Sequence, residues 1–240
     1  MGSDEFLKLA TSRKSTHRFL SDPVPDEAIE KMIEAARWAQ SGANAQPWEF
    51  IVVKDKETKA KIVDIYRLYT EAAWDIEKTR LKELRHTAFA DGAPTSPQGF
   101  QDAPVFIVVC GDPRPVQASI LITHFIHMEG GPMAHFMKSM ANATQMLHLA
   151  AAALGLGSQW LSINRISEPH LKTLLDVPDE LTIPTIVPVG YPVPGQPRRG
   201  ASRRELAEIT HFEKYDRSKY RSGDDIYRFL LALRKRTTPV

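Results

Sequence analysis

The chain has 240 residues, 42% of them hydrophobic and 25% charged, and its formal net charge is +2. This composition is typical of an ordinary globular protein, and so small a net charge argues against nucleic acid or an anionic membrane as a partner. No apolar run approaches the roughly 18 residues of a membrane helix, and residues 1–5 lack the pattern of a signal peptide. We therefore expect a cytoplasmic protein.

The first half of the chain predicts helices and one strand before a loop. Apolar side chains at helical spacing define the helices, and the carboxylates of Asp26, Glu27 and Glu30 favour the start of the second one. Glycines and prolines within residues 91–103 exclude regular structure there. The predicted elements are a helix over 4–13, a helix after Pro23-Val24-Pro25, a strand over 49–53, a helix over 57–88 and a loop over 91–103.

The second half is built around two apolar stretches. Residues 105–110 show no polar alternation, which predicts a central strand, and the single cysteine, Cys110, is expected to be a buried thiol there. Residues 137–154 are apolar almost all round, which predicts a central helix that ends at Gly155. The other elements are strands over 158–163 and 183–189, a helix over 168–175, and a part-helical, part-loop stretch over 114–134.

The C-terminal tail carries an apolar stripe that needs a partner. Ile226, Phe229, Leu230 and Leu233 recur at the spacing of one helical face, beyond the polar residues 212–223. That partner could be a neighbouring subunit. We find no internal repeat and no break in composition, and we predict a single domain over 1–240 with a helical and loop excursion over 57–103 and a dimer-embracing tail over 212–240.

Two polar segments predict a ligand site. Arg13-Lys14-Ser15-Thr16-His17-Arg18-Phe19 concentrates basic and hydroxyl side chains, and Ser41-Gly42-Ala43-Asn44-Ala45-Gln46-Pro47-Trp48 places amides before a Pro-Trp pair. Cations suit a phosphate, and amides, which both donate and accept, suit the polar edge of a flat ring. The alternatives are a solvated basic surface and a loop whose amides only form turns. The favoured ligand is flavin mononucleotide (FMN).

A metal site is not predicted. His124 and His127 share a helical face, but no cysteine or paired carboxylate completes a ligand set. The sequence instead favours substrate-pocket or surface roles for these two histidines and for His135 and His148.

The chain resembles the nitroreductase family of FMN-dependent NAD(P)H oxidoreductases. The motifs follow the family's order over about residues 8–210. Besides the two polar segments and the strand after the second, they are Pro23-Val24-Pro25, Asp102-Ala103-Pro104-Val105, Ala153-Leu154-Gly155-Leu156-Gly157-Ser158 and Val189-Gly190-Tyr191-Pro192. The resemblance implies an α+β fold, a nitroreductase-like sandwich with a central mixed sheet flanked by helices, and an intertwined homodimer with two flavin sites at its interface.

The resemblance also implies roles for individual residues. The FMN phosphate is expected at Arg13, Lys14, Ser15 and His17, the last standing where the family commonly has Lys or Arg, and at Arg203, with Arg204, Arg198 and Arg199 as competitors. Ser41, Asn44 and Gln46 match residues that line the flavin across the dimer interface. The segment Gln159, Trp160, Leu161 and Ser162 matches the one that lies along the flavin ring, where a backbone N–H faces its reactive nitrogen.

Three hypotheses for function follow from the resemblance. The first is ping-pong hydride transfer from NAD(P)H to an electron-poor acceptor such as a nitroaromatic or a quinone, with no catalytic side chain named because the flavin supplies the chemistry. The second is reductive dehalogenation of the iodotyrosine deiodinase type, with a lid within residues 66–100 or 114–134. The third is a non-catalytic flavin-binding dimer.

Overall fold

The computed structural model describes residues 2–85, 99–118, 130–195 and 203–237. These residues form two compact units, which we describe separately. The first unit comprises residues 2–69 and 99–195, and the second comprises residues 70–85 and 203–237. Every helix in the described ranges is too short or too polar to cross a lipid bilayer.

Helices and strands are interspersed along the chain. The α-helices are α1 (Ser3–Ser12), α2 (Asp26–Arg37), α3 (Lys56–Glu77), α4 (Arg114–Ala118), α5 (Gly131–Ala153), α6 (Ser167–Leu175), α7 (Leu206–Ile209) and α8 (Gly223–Thr237). The strands are β1 (Trp48–Val53), β2 (Val105–Gly111), β3 (Gly157–Ser158), β4 (Leu161–Ser162) and β5 (Thr182–Gly190). Short 3-10 helices cover Gly42–Asn44, Lys82–Leu84, Gly99–Asp102 and Arg217–Lys219.

The strands of the described chain form one sheet in the order β1-β2-β5-β3, and β4 also pairs with β5. These pairings are antiparallel, while Ser15 adds a parallel bridge to Ser158. β2 is buried at every position, as its continuous apolar sequence predicts.

Each face of the sheet has its own core. Val105, Ile107 and Val109 point to the side covered by α2 and α5, where Met32, Phe136 and Leu147 are buried. Phe106, Val108 and Cys110 point to the other side and pack with residues of α3 and α6. The alternation along β2 thus holds helices on both faces, and the predicted α+β class with a sheet flanked by helices is confirmed. Cys110 is 2% exposed, which confirms the expected buried thiol, and this burial raises its pKa to about 12.

Three boundaries differ from those predicted. α3 ends at Glu77 rather than near residue 88, because Thr79 Oγ1 donates to Ile76 O and the Arg85 guanidinium donates to Lys78 O, so side chains take carbonyls that a longer helix would use. α5 begins at Gly131, with Pro132 in the first turn, rather than at residue 137. The strand predicted over 158–163 is split into β3 and β4.

Several predictions fall on residues outside those described. They concern most of the loop 91–103, most of the stretch 114–134 with His124 and His127, and Arg198 and Arg199. Among the described residues, no three His, Cys, Asp or Glu side chains are close enough to hold a metal ion.

The second unit exposes much of its apolar surface. The predicted tail helix is present as α8, and Ile226, Phe229 and Leu230 are exposed, as is Phe212 at 83%. The role of the tail in a dimer, and the single domain over 1–240, stay predictions.

Candidate functional site

The basic segment 13–19 is attached to one end of the sheet by its backbone. Thr16 N donates to Ser158 O at 2.9 Å, and Leu20 N donates to Tyr191 O at 2.8 Å. Phe19 forms an antiparallel bridge with Pro192. The segment therefore lies beside β3 and the end of β5, and its path is fixed independently of its charged side chains.

The buried side chains of this segment point into the protein, and its charged side chains point outward. Thr16 is 3% exposed and Phe19 4%, so both point into the protein. Lys14, Ser15 and His17 are exposed, and Arg13 is half-buried. The sheet edge thus presents cations and a hydroxyl together, which suits a phosphate dianion.

A glycine makes this attachment possible. A Cβ at Gly157 would lie 2.4 Å from Thr16 Oγ1 and 2.8 Å from Thr16 Cβ. Because Thr16 is buried, any side chain at residue 157 would push the basic segment away from β3.

The segment 159–162 follows directly from β3. Gln159 is half-buried, and its Oε1 is buried without a hydrogen-bond partner among the described residues. Trp160 is 40% exposed, Ser162 is exposed, and Leu161 is buried in the core. A ligand beside this segment can contact the side chains of Gln159, Trp160 and Ser162, but only the backbone of Leu161.

The loop 41–46 is held in a strained conformation. Ala43, Asn44 and Gln46 have positive φ angles of 53°, 54° and 44°. Residues other than glycine rarely adopt this backbone region. Ser41 Oγ accepts from Gln46 N at 3.0 Å, and Gln46 Nε2 donates to Asn44 O at 3.3 Å. Such strain is found at functional loops, and it fixes where the amide side chains emerge.

The loop also lies against the first half of α5. Asn142 Nδ2 donates to Gln40 O at 3.0 Å, and Gly42 N donates to Ser139 Oγ at 3.4 Å. A Cβ at Gly42 would lie only 1.5 Å from His135 Nε2, so this close approach needs glycine. Ser41, Asn44 and Gln46 line a cavity of about 680 Å³ together with His135, Lys138 and Asn142. We call it the loop cavity.

Of the α5 residues in the loop cavity, the sequence favoured a substrate-pocket or surface role for His135, whereas Lys138 and Asn142 were not predicted. His135, Lys138 and Asn142 recur at helical spacing, so they lie on one face of a helix that otherwise reads as apolar. This short polar stripe, once α5 is extended to Gly131, is the signal in the sequence that identifies them.

A buried histidine lies beneath the basic segment. His148 of α5 is 3% exposed, and its Nδ1 shares a hydrogen bond of 2.8 Å with Ser158 Oγ. Burial, with a smaller contribution from the charge of Arg13, lowers the pKa of His148 to about 4. The imidazole is therefore neutral at ordinary pH.

The predicted residues fall into separate groups within one chain. The loop contacts α5 between His135 and Asn142, whereas the basic segment bonds Ser158, which is the partner of His148. At 1.5 Å per residue, His148 lies roughly 9–20 Å along the helix from these loop contacts. Arg203 and Arg204 belong to the second unit, where Arg204 donates to Glu208 O at 3.0 Å. The choice between them for the phosphate stays a prediction.

The donors present fit FMN. Cations and a hydroxyl at the basic segment match a phosphate, and the half-buried amide of Gln159 and the exposed amides of the loop match polar ring edges.

Comparisons with known proteins show the family of the chain. The model of the nitroreductase family matches residues 10–191. A protein of Archaeoglobus fulgidus, provisionally named an NADH dehydrogenase/NAD(P)H nitroreductase, is 29% identical over 88% of this chain and 99% of its own length. Iodotyrosine deiodinase 1 of Rattus norvegicus is 29% identical over 87% of this chain and 70% of its own length.

Solved structures show the same fold. Oxidized iodotyrosine deiodinase bound to FMN and 3-iodo-L-tyrosine has a TM-score of 0.65 and 25% identity, over 88% of this chain and all of that one. A BluB-like flavoprotein from Clostridium difficile 630 has a TM-score of 0.66 and 23% identity, over 89% of this chain and 100% of that one. With the family model covering well over half of its length, the chain belongs to the nitroreductase family.

Proposed function

We propose that the protein is an FMN-dependent oxidoreductase that works by ping-pong hydride transfer from NAD(P)H to an electron-poor acceptor. The observation that carries this proposal is the attachment of the basic segment 13–19 to β3, the strand that leads directly into residues 159–162. One edge of the sheet thereby offers a phosphate site next to a segment suited to a flavin ring. The FMN phosphate would bind Arg13, Lys14, Ser15 and His17.

The chain's own residues bind and orient in this proposal. FMN, when bound, accepts a hydride from NAD(P)H and passes electrons to the acceptor. Arg13 grips the phosphate with a fixed fork of donors, and each charge-assisted bond contributes about 1.5–3 kcal/mol. Backbone N–H groups of residues 159–162 would face the ring. We assign no catalytic side chain.

A homodimer is part of the proposal. The loop 41–46 contacts the first half of α5, whereas the basic segment bonds Ser158. The two therefore need not contact the same flavin within one chain. In the proposed dimer, Ser41, Asn44 and Gln46 of one protomer line the flavin whose phosphate is held by the other. The exposed apolar side chains of α8 support a tail that packs on the partner.

Reductive dehalogenation is the second candidate, favoured by the similarity to iodotyrosine deiodinase. The described part of the lid region gives it little support. Tyr66 packs edge-on against Phe100 at 5.2 Å, Lys78 pairs with Asp75 at 2.7 Å, and the Arg85 guanidinium lies over the Trp74 ring. These side chains have local structural contacts.

Anaerobic reduction tests the proposal. The purified protein should show a yellow FMN spectrum that bleaches promptly with NADH or NADPH, and a nitroaromatic or quinone should restore the colour. Flavin that dithionite reduces but nicotinamides do not would favour dehalogenation, which turnover of 3-iodotyrosine would then establish, or a non-catalytic flavin dimer. A colourless protein that does not bind added FMN would refute all three.

A further inference from the structure

His148 contacts both segments that the proposed function places against the flavin. Its Nδ1 bonds Ser158 Oγ at 2.8 Å, and Ser158 is the residue that receives the basic segment. The imidazole also stacks on Trp160, with ring centroids 6.0 Å apart and planes 30° apart. One buried ring thus supports the strand under residues 13–16 and the start of the flavin-lining segment.

The polar character of this ring is costly to the fold. His148 Nε2 is buried without a hydrogen-bond partner in the described part of the chain, and an unsatisfied buried nitrogen destabilises a protein. An apolar side chain of similar size would avoid that cost. What the histidine provides here is one hydrogen bond between its Nδ1 and Ser158 Oγ. Either tautomer makes this bond, because a hydroxyl both donates and accepts.

Ser158 passes this contact to the basic segment. Its carbonyl accepts from Thr16 N at 2.9 Å, and its backbone forms the parallel bridge with Ser15. Gly157 next to it leaves just enough room for Thr16. A rotation of Ser158 would therefore move the backbone that carries Arg13 and Ser15.

The His148 ring bonds Ser158 as a neutral group. Burial and the nearby charge of Arg13 lower its pKa to about 4, so His148 adds no second cation and does not compete with Arg13 for the phosphate.

We propose that His148 is a positioning residue, which acts through Ser158 to hold residues 13–16 in the conformation that presents Arg13 and Ser15 to the flavin phosphate. This inference rests on the proposed FMN site. His148 itself, being buried, does not touch the phosphate.

Comparing FMN with riboflavin, which lacks the phosphate, isolates this role. Full-length protein freed of flavin is titrated with each ligand by flavin fluorescence. Arg13→Ala should reduce the preference for FMN about tenfold or more, the loss of one charge-assisted contact. His148→Leu and Ser158→Ala should reduce it about three- to tenfold with riboflavin affinity nearly unchanged. His148→Asn places an amide near the position of Nδ1 and should retain most of the preference.

Stability separates positioning from a purely structural role. His148→Leu removes the unsatisfied nitrogen but leaves the buried Ser158 hydroxyl without its partner, so its unfolding midpoint should stay near that of the wild type although FMN binding is weaker. If His148→Leu does not fold, Ser158→Ala carries the test. An unchanged FMN preference in both variants, while Arg13→Ala lowers it, overturns the inference and leaves the proposed function intact. A wild-type protein without any preference for FMN over riboflavin overturns both.

Discussion

The basic segment 13–19 and the loop 41–46 carry the two halves of the predicted site, and the chain holds them in different ways. The segment is extended and is fixed by backbone bonds to β3 and the end of β5. The loop makes no strand pairing in the described structure; it is fixed by side chains of α5 and by three residues with positive φ. Its position therefore depends on local strain and on contacts to a single helix.

The difference indicates how the site is assembled. A segment bonded to the sheet keeps its position as long as the fold persists, so it suits the strong contacts to a phosphate. A strained loop beside an open cavity presents amides outward, toward a ligand whose other end is held elsewhere. This division of work fits the proposed flavin shared between two protomers.

His148, which lies beneath the basic segment, should make the stability of the fold sensitive to acid. The pKa of His148 is about 4 in the folded chain against an ordinary 6.5, so between those values the unfolded chain binds a proton at this site that the folded chain does not. The free energy of unfolding of the flavin-free protein should therefore fall by up to about 3 kcal/mol as the pH drops from 7 to 4. Denaturant melts across this range measure it. In His148→Asn this part of the slope should be missing; an identical slope would contradict the account.

Crowding β3 should displace the basic segment. Gly157→Ala forces Thr16 to move, and we expect a loss of about 1–3 kcal/mol of stability, typical of overpacking, together with weaker FMN binding. Gly223→Ala is the matched control, because its Cβ would meet no atom within 4 Å. Equal stability of the two variants in urea melts would show that the close contact at Gly157 is unimportant.

Removing the guanidinium tests the charged end alone. Arg13→Ala should weaken FMN at least about tenfold, the loss of a charge-assisted contact, with little change in the unfolding midpoint. Equilibrium dialysis with FMN measures the affinity, and Lys8→Ala on the exposed face of α1 is the control. Wild-type affinity in Arg13→Ala would refute the phosphate assignment.

Relieving the backbone strain at Ala43 should have the smallest effect on stability and FMN affinity. Ala43→Gly places the residue best suited to φ 53° in the loop, so we expect stability to rise by at most about 1 kcal/mol and FMN affinity to fall a few-fold as the loop becomes less ordered. Ala35→Gly within α2 should instead destabilise by about 1 kcal/mol. If both glycines destabilise equally, the strain at Ala43 is not significant.

Much of the fold could be predicted because the relevant signals are local. The unbroken apolar run over 105–110 predicted the central strand, and the early carboxylates with the apolar spacing predicted α2. The order of the motifs then indicated the family. The boundaries that failed depend on contacts between side chains: Thr79 and Arg85 end α3 by taking its carbonyls, which helical periodicity does not reveal.

The composition of the candidate site could be proposed from the sequence, but its arrangement could not. The residues of segment 13–19 and loop 41–46 were proposed from their chemistry. The positive φ angles of Ala43 and Asn44 could not be, because neither is glycine. The bond between His148 and Ser158 was also hidden, since it depends on how the turn at Gly155 returns the chain onto α5.

Mixed dimers test most directly whether one flavin is shared by two protomers. Arg13→Ala and the double variant Asn44→Ala, Gln46→Ala are first shown to bind FMN weakly as homodimers. They are then co-expressed with different tags, and the mixed dimer is isolated and titrated with FMN. If the loop of one protomer serves the flavin held by the other, one site carries both defects and the other carries none. The account predicts one FMN per mixed dimer bound with wild-type affinity; the absence of any wild-type site would contradict it.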